Sequence, residues 1–344
     1  MPDPIPGSRP TLEAVAARAG VSRATASRVV NGGAGVRQLL VERVQEAVDE
    51  LGYIPNHAAR TLVTRRNGAV AVIIAEPEIR IFSDPFFSQQ LRGISRELTA
   101  HDSQLVLLLV EGSGDYDRVA RYLAGGHVDG ALAFSLHTED PLPAVIHKAG
   151  IPAVFGGRPV WKGPESDLAL PYADCDNRGG ARQAVQHLVG LGRRSIAHIA
   201  GPQDQTSGID RLDGYRDVLL DVDPGLTAQG AFTEESGAAA MAELLERRPE
   251  LDAVFAANDL MASGALQVLR SHGRRVPEDV AVVGFDNMEK VAELTDPPLT
   301  TIRQDIEGMG QLMVRMLIRG LDRETVTPPD SVIMPTDLVR RASA

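Results

Sequence analysis

Residues 19–32 read AGVSRATASRVVNG. Two arginines and three hydroxyl residues crowd a stretch with no carboxylate, in a 344-residue chain whose formal net charge is −11. Gly20 separates two short segments. Upstream, Thr11 is a candidate N-cap for LEAVAARA, in which Leu12, Val15, Ala16 and Ala19 recur at helical spacing on one face. Downstream, Ser22 is a second candidate cap, and RATASRVV reads as a helix that stops at Asn31-Gly32. Two short helices joined through a glycine turn form the helix-turn-helix pattern. In that motif the second helix lies in the DNA major groove with its first residues facing base edges. Here those residues are Arg23, Ala24 and Thr25, with Arg28 one turn on. Arg23 and Arg28 suit bidentate contact with guanine, and Ser22, Thr25 and Ser27 suit phosphate. The bland alternative is a helical hairpin with solvated arginines.

The following residues extend the pattern. A third helix is expected over residues 39–51, with Val36, Leu40, Val44, Val48 and Leu51 as its apolar stripe and Gly52 closing it. Then comes YIPNHAARTLVTRR, where Pro55 stops a helix and Asn56 caps a new one. That helix, residues 57–63, is about two turns long, too short to stand alone in water. It needs a surface to hold it, and a DNA groove is a candidate. Residues 1–68 hold nine Arg, no Lys and six Asp or Glu, so they carry +3 and the remainder −14. A basic head on an acidic body suits a polyanion partner for the head alone.

From Val70 onward short apolar runs alternate with helical stretches: VAVIIA, LVLLLV, GALAF and PAVFGG, then SIAHIAGP, AQGAF, DAVFAAND and VAVVGFD. Apolar strands separated by helices imply parallel sheets covered on both faces, and the restart implies two lobes with a cleft between them. Ligands bind such sheets beyond the carboxyl ends of the strands. That rule selects Asp84 with Phe86 and Phe87, then Gly157 and Arg158, then Asp176, Asn258, Asp259 and Asp286. Carboxylates, amides and an arginine take paired hydroxyls, and rings cover an apolar C–H face, which suits a sugar. Asp176 and Asp259 have a competing reading as helix N-caps, favoured for Asp259, and Phe87 has one as core. Trp161, the one tryptophan, stands in the Gly/Pro-rich loop RPVWKGPE and suits stacking at a cleft mouth.

The segments TLEAVAARAGVSRATASRVVNG, LGYIPNHAARTL, VAVVGFDN and PPLTTIRQD, in this order, resemble the LacI/GalR family of bacterial repressors. The resemblance runs from about Thr11 to Arg340. It implies an α+β multidomain chain: a three-helix helix-turn-helix head (residues 1–54), a hinge helix and linker (55–68), and a two-lobed, periplasmic-binding-protein-like core (69–344). The N-lobe is expected at about 69–174 and 303–331, the C-lobe at about 176–302 and 332–344. The resemblance adds Thr11, Asn31, Tyr53, Asn56, His57, Ala59 and Arg60 to the DNA-facing set, with Leu62 as a wedge into the minor groove. It places Arg211 and Ser207 of GPQDQTSGIDRLDGY, Phe232, Asn258 and Asp286 at the effector. Two positions depart from the family pattern. Arg37 and Leu40 replace hydroxyl residues at the start of the third helix, and Ala26 replaces the usual valine.

The expected function is a cytoplasmic homodimeric repressor of a near-palindromic operator, controlled by a small molecule. ARTLVTRR, YLAGGHVDG, FGGRP and RRVPEDVAVVGFD resemble the branch that senses cello-oligosaccharides or β-glucosides, so a sugar inducer is expected. The alternatives are a purine-type corepressor or, with a signal peptide, a sugar-binding transport protein. MPDPIPGSRP lacks the charged start and apolar stretch of such a peptide. No run approaches the roughly 18 apolar residues that cross a bilayer. Cys175 is the one cysteine, which excludes an intrachain disulfide. No nucleophile–base pair, His-rich ligand spacing or phosphate loop stands out, so neither enzyme, metal nor cofactor is expected. The ending LVRRASA carries no heptad tail, so dimers are expected rather than tail-joined tetramers.

Overall fold

The structure is a computed structural model that describes residues 10–31, 35–54, 66–160, 170–219, 223–322 and 331–344. They fall into two compact units, residues 1–67 and 68–344. The first holds α1 (Leu12–Ala19), α2 (Arg23–Val30) and α3 (Gln38–Leu51). Thr11 and Ser22 cap α1 and α2 by accepting from the backbone amides of Ala14 and Thr25. Gly20 ends α1 at φ +67°, a left-handed conformation that costs glycine little. The three helices close on Val15, Ala19, Val44 and Ala47, with Val21, Val29, Leu51 and Tyr53 half-buried around them. The expected stripe of α3 shifts at its start: Val44 and Ala47 are buried, while Val36 and Leu40 are only half so. Arg37 occupies the cap position of α3 without a side-chain cap bond, because a guanidinium has no acceptor to offer. The helix expected at 57–63, with Asn56, His57, Ala59, Arg60 and Leu62, lies outside the described residues, as does Trp161.

The second unit contains two six-stranded sheets. In the first lobe β1 (Ala69–Ile74), β2 (Gln104–Leu109), β3 (Gly130–Phe134), β4 (Ala153–Gly156), β5 (Tyr172–Cys175) and β11 (Val332–Met334) run parallel, in the order β11-β5-β4-β3-β1-β2. In the second lobe β6 (Ile196–Ala200), β7 (Thr227–Gln229), β8 (Ala253–Ala256), β9 (Ala281–Asp286), β10 (Thr300–Arg303) and β12 (Asp337–Val339) take the order β12-β10-β9-β8-β6-β7. β12 is antiparallel to β10, so this sheet is mixed where the apolar runs alone implied a parallel one.

The chain passes between lobes three times: after β5, after β10 and after β11. The last passage comes later than the expected boundary at 332. Val332 and Met334 pair with Ala173 and Cys175, and both pack on the first lobe's core, so β11 belongs to that lobe.

Strand alternation feeds both faces of each sheet. In the first lobe Val70, Val72, Ile74 and Phe134 meet α5 (Pro85–Ala100) and α13 (Ile306–Asp322). Ala71, Ile73 and Phe155 meet α6 (Ser113–Ala124) and α7 (Leu142–Ala149) on the other face. The second lobe repeats this, with α8 (Asn177–Gly190) and α9 (Thr206–Val218) on one face, α10 (Glu234–Arg247) and α11 (Asp259–Ser271) on the other. Close backbone approach docks α13 on α5: a Cβ at Gly93 would lie 2.1 Å from the Glu307 carbonyl oxygen, and one at Gly310 2.5 Å from that of Gln90. This contact returns the chain to the first lobe and carries Met309 to the cleft.

Candidate functional site

In the head, the start of α2 stands open to solvent: Ser22, Arg23, Ala24 and Arg28 are exposed, Thr25 and Ser27 half-buried. Ala26 is fully buried beneath them. Ser22 Oγ accepts from the Thr25 amide at 3.1 Å and shares a 2.8 Å bond with Thr25 Oγ1, so capping already employs part of that hydroxyl pair. Asn31 is the C-cap of α2, its Nδ2 donating to the Ser27 carbonyl at 2.8 Å. Tyr53 packs on the head's core and is half-buried. Arg23 meets Glu13 of α1 at 2.6 Å, a pair that sequence reading missed. Both partners are largely exposed, so the pair is easily exchanged for another acceptor.

In the core, a cavity with about 750 Å³ of open space lies where the carboxyl ends of both sheets face each other. Asp84, Phe86, Phe87, Arg158, Ser207, Arg211, Phe232, Asn258 and Asp286 line it. Asp176 does not: its Oδ1 caps α8 by accepting from the Gly179 amide at 2.8 Å, and Asp174 lines the cavity instead. Asp259, by contrast, is not a cap. Asn258 caps α11, accepting from the Met261 amide at 2.9 Å. Asp259 lies fully buried behind it, bonded to the Thr301 hydroxyl and, at 2.7 Å, to the Met288 amide. Burial, then the nearby Asp286, pushes the Asp259 carboxyl well above its usual range.

Phe232 was expected at the end of a strand. β7 stops at Gln229, and Phe232 adopts φ +61°, an uncommon conformation for a bulky residue. Asn258 Nδ2 donates to its carbonyl at 3.0 Å, and the ring covers Gly201, where a Cβ would lie 2.4 Å from the ring. These contacts hold the aromatic face toward the cleft.

Arg211 is the most heavily engaged side chain of the lining. It donates to Asn177 Oδ1 at 2.9 Å and to the Ala257 carbonyl, and lies 3.3 Å from Asp286. Its guanidinium carbon sits 3.7 Å from the Phe285 ring centroid and 5.7 Å from that of Phe232. Burial raises Asp286 to about 6 despite the Arg211 charge and the bond from Gln304. Burial likewise raises Asp84, which caps α5 through the Phe86 amide, and Asp174. Phe87 is both lining and core: it is buried and stacks on Phe134 at 6.2 Å.

Side chains clasp the two lobes together beside the cavity. Arg158 Nη2 of the first lobe donates to both carboxylate oxygens of Asp210 in the second, at 2.6 and 2.7 Å, and Thr206 Oγ1 donates to the Arg158 carbonyl at 3.0 Å. Nearby, His137 of the first lobe meets Asp204 at 2.7 Å, and Gln205 Nε2 donates to Glu76 at 2.8 Å. The Glu76 carboxylate, 3.7 Å from Nε2, and then the hydrogen bond with Asp204 raise His137 to about 9 against its burial.

Arg80, Asp174, Asn177, Gln205 and Gln304 also line the cavity and were not singled out. The strand-end rule reaches Asp174, Asn177 and Gln304 once strand boundaries are known. Arg80 carried no signal, because the short helix α4 (Glu78–Ser83) interrupts the path from β1 to the Asp84 cap.

Residues 11–56 match the family of bacterial regulatory proteins described as the lacI family, and residues 185–344 match the periplasmic binding protein-like domain. The HTH-type transcriptional regulator CelR of Thermobifida fusca is 49% identical over 97% of this chain and 98% of its own. A solved complex of transcriptional regulator CelR with cellobiose is 47% identical, covers 98% of this chain and 100% of its own, and superposes with a TM-score of 0.77. The lac repressor dimer bound to operator and an anti-inducer is 28% identical over 98% of this chain and 99% of its own, with a TM-score of 0.82. A helix-turn-helix head, a two-lobed α/β core and identity of this extent place the chain among transcriptional regulators: it belongs to the lacI family of bacterial regulatory proteins.

Proposed function

We propose that the cleft binds a β-glucoside of the cellobiose type, and that its occupancy makes a homodimer release a near-palindromic operator read by α2. One observation carries this reading: desolvated carboxylates and amides from both lobes share a single cavity with the Phe86 and Phe232 rings. Buried acceptors with few water competitors take sugar hydroxyls in pairs, and the rings cover the apolar face of a pyranose. The likeness to a regulator solved with cellobiose supports the same choice of ligand. Residues of both lobes contribute, so a bound ligand alters how one lobe is held against the other. Arg23, Ala24, Thr25 and Arg28 are the base-facing set in this reading, with Ser22 and Ser27 toward phosphate.

Isothermal titration of the full chain with cellobiose, ribose, galactose and hypoxanthine tests the ligand. Heat with cellobiose, and loss of operator anisotropy on adding it, are the expected results. Heat with hypoxanthine alone, accompanied by tighter operator binding, would replace the inducer with a corepressor. Turnover of cellobiose would overturn the reading of the cleft as a binding site without catalysis.

A further inference from the structure

Helix α4 is anchored by one buried side chain, Ile81, while Ile79 and Phe82 face outward. Arg80, between them, turns back into the cavity. Its Nη1 lies 2.8 Å from Glu76. Its guanidinium carbon stands 5.9 Å from the Phe87 ring centroid of the first lobe and 5.7 Å from that of Phe232 in the second. Both distances are within cation–π range. Arg80 Nε is buried and has no acceptor among the described residues. A buried donor without an acceptor is costly, and one that lines a cavity is satisfied when a ligand brings an oxygen.

The charge of Arg80 is already answered. Glu76 is 3% exposed and accepts from Ser135 Oγ at 2.6 Å and Gln205 Nε2 at 2.8 Å, with Arg80 paired to it as an ion pair. Burial opposes its ionisation, but His137, 3.7 Å away, and the Arg80 charge hold its carboxyl below the usual range. His137, protonated below about pH 9, is bonded in turn to Asp204. The other lining arginines are matched in the same way, Arg158 by Asp210 and Arg211 by Asp286. Asp84 and Asp174 add further carboxyl groups to the lining. Among the described residues, the lining therefore offers an unpartnered donor, Arg80 Nε, but no unmatched cation.

We propose that Arg80 is a specificity-determining residue of this cleft: its Nε donates to an oxygen of an uncharged glycoside, and its pairing with Glu76 makes the site reject the same sugar bearing a phosphate. This rests on reading the cleft as a sugar site. An arginine tied to a buried glutamate works as a hydrogen-bond donor rather than as a counter-ion. A phosphate dianion entering here would be desolvated beside Asp84 and Asp174 with no cation among the described lining residues free to meet it.

Full-length protein, titrated calorimetrically with cellobiose and with cellobiose 6′-phosphate, tests the proposal in three forms: wild type, Arg80→Met and Glu76→Gln. Wild type is expected to bind the phosphate form at least about tenfold more weakly than the free sugar. Arg80→Met should weaken cellobiose about tenfold or more, the loss of one hydrogen bond from a charged donor, while its thermal unfolding stays near that of wild type. Glu76→Gln, by releasing the Arg80 charge, should narrow the gap between the two sugars. If Glu76→Gln does not fold, the wild-type ratio and Arg80→Met still decide. Unchanged cellobiose affinity in Arg80→Met, or equal affinity of wild type for both sugars, overturns the proposal. Wild type that binds neither sugar removes the β-glucoside reading itself, a different failure from wild type that binds cellobiose without regard to Arg80.

Discussion

At the scale of single residues, the cleft is governed by what burial does to charge. Arg211 and Asp286 are each about 5% exposed, so each is tolerable only because the other is near. Arg211 also holds Asn177 and the Ala257 carbonyl, and its flat face lies on Phe285, so one side chain ties together the ends of several strands. Arg211→Ala would strand the Asp286 carboxylate. The expected cost is about 3–5 kcal/mol of core stability, with Asp286 driven further toward its neutral form. Cellobiose heat should vanish, while operator binding at a temperature where the core stays folded should persist. Thermal melts with operator anisotropy check both, and retained cellobiose binding would remove Arg211 from the site. The Asp174–Asp176 pair shows where reading at this scale stops. Strand-end position selects both. The start of α8 decides between them, because the residue before a helix has its carboxylate drawn to the orphan amides of the first turn.

At the scale of elements, the lobes are joined by groups that never approach each other in sequence. His137 is the group among them whose charge can be switched. Its pKa is raised from 6.5 to about 9, first by the Glu76 carboxylate 3.7 Å from Nε2. A histidine raised on folding contributes stability that is fully present below the unfolded value, near 6.5, and is lost as pH rises through the folded value, near 9. The stability difference between wild type and His137→Gln should therefore be largest below pH 6.5 and shrink toward zero above pH 9. Chemical denaturation across that window measures it, and a difference that grows with pH would contradict the assignment. The side chain is about a third exposed, so solvent moderates the effect. The elements themselves were largely legible in the sequence. Thr11, Ser22 and Gly20 act through their own helix ends, and two-sided apolar strands declare themselves in any window of six residues. Phe232 was misplaced because a left-handed residue held by a distant Asn258 leaves no local mark.

At the scale of the whole molecule, a ligand can act on DNA only by binding one state of the protein more tightly than another. In the proposed function the operator-bound and sugar-bound states compete, so the coupling is reciprocal. If cellobiose weakens operator binding by some factor, operator must weaken cellobiose binding by the same factor. A coupling of about 1–3 kcal/mol, or roughly 5–150-fold, is expected. Titrating cellobiose with and without saturating operator, and operator with and without saturating cellobiose, closes that cycle. Unequal factors would mean that a third state or a change in assembly intervenes, and equal factors of one would end the proposed control.

The head, the alternation of strand and helix and the two-lobed plan are legible along the chain, because each depends on caps, turns and periodicities within a few residues, and the regulator family is legible through the resemblance of several segments in order. Which polar groups share one cavity emerges from the folded chain alone: Arg80 between Phe87 and Phe232, Glu76 beside it, Arg158 clasped to Asp210, Asp174 in place of Asp176. The physical reason is that burial and pairing decide what a charged side chain can do, and both come from parts of the chain that meet only when the lobes have folded.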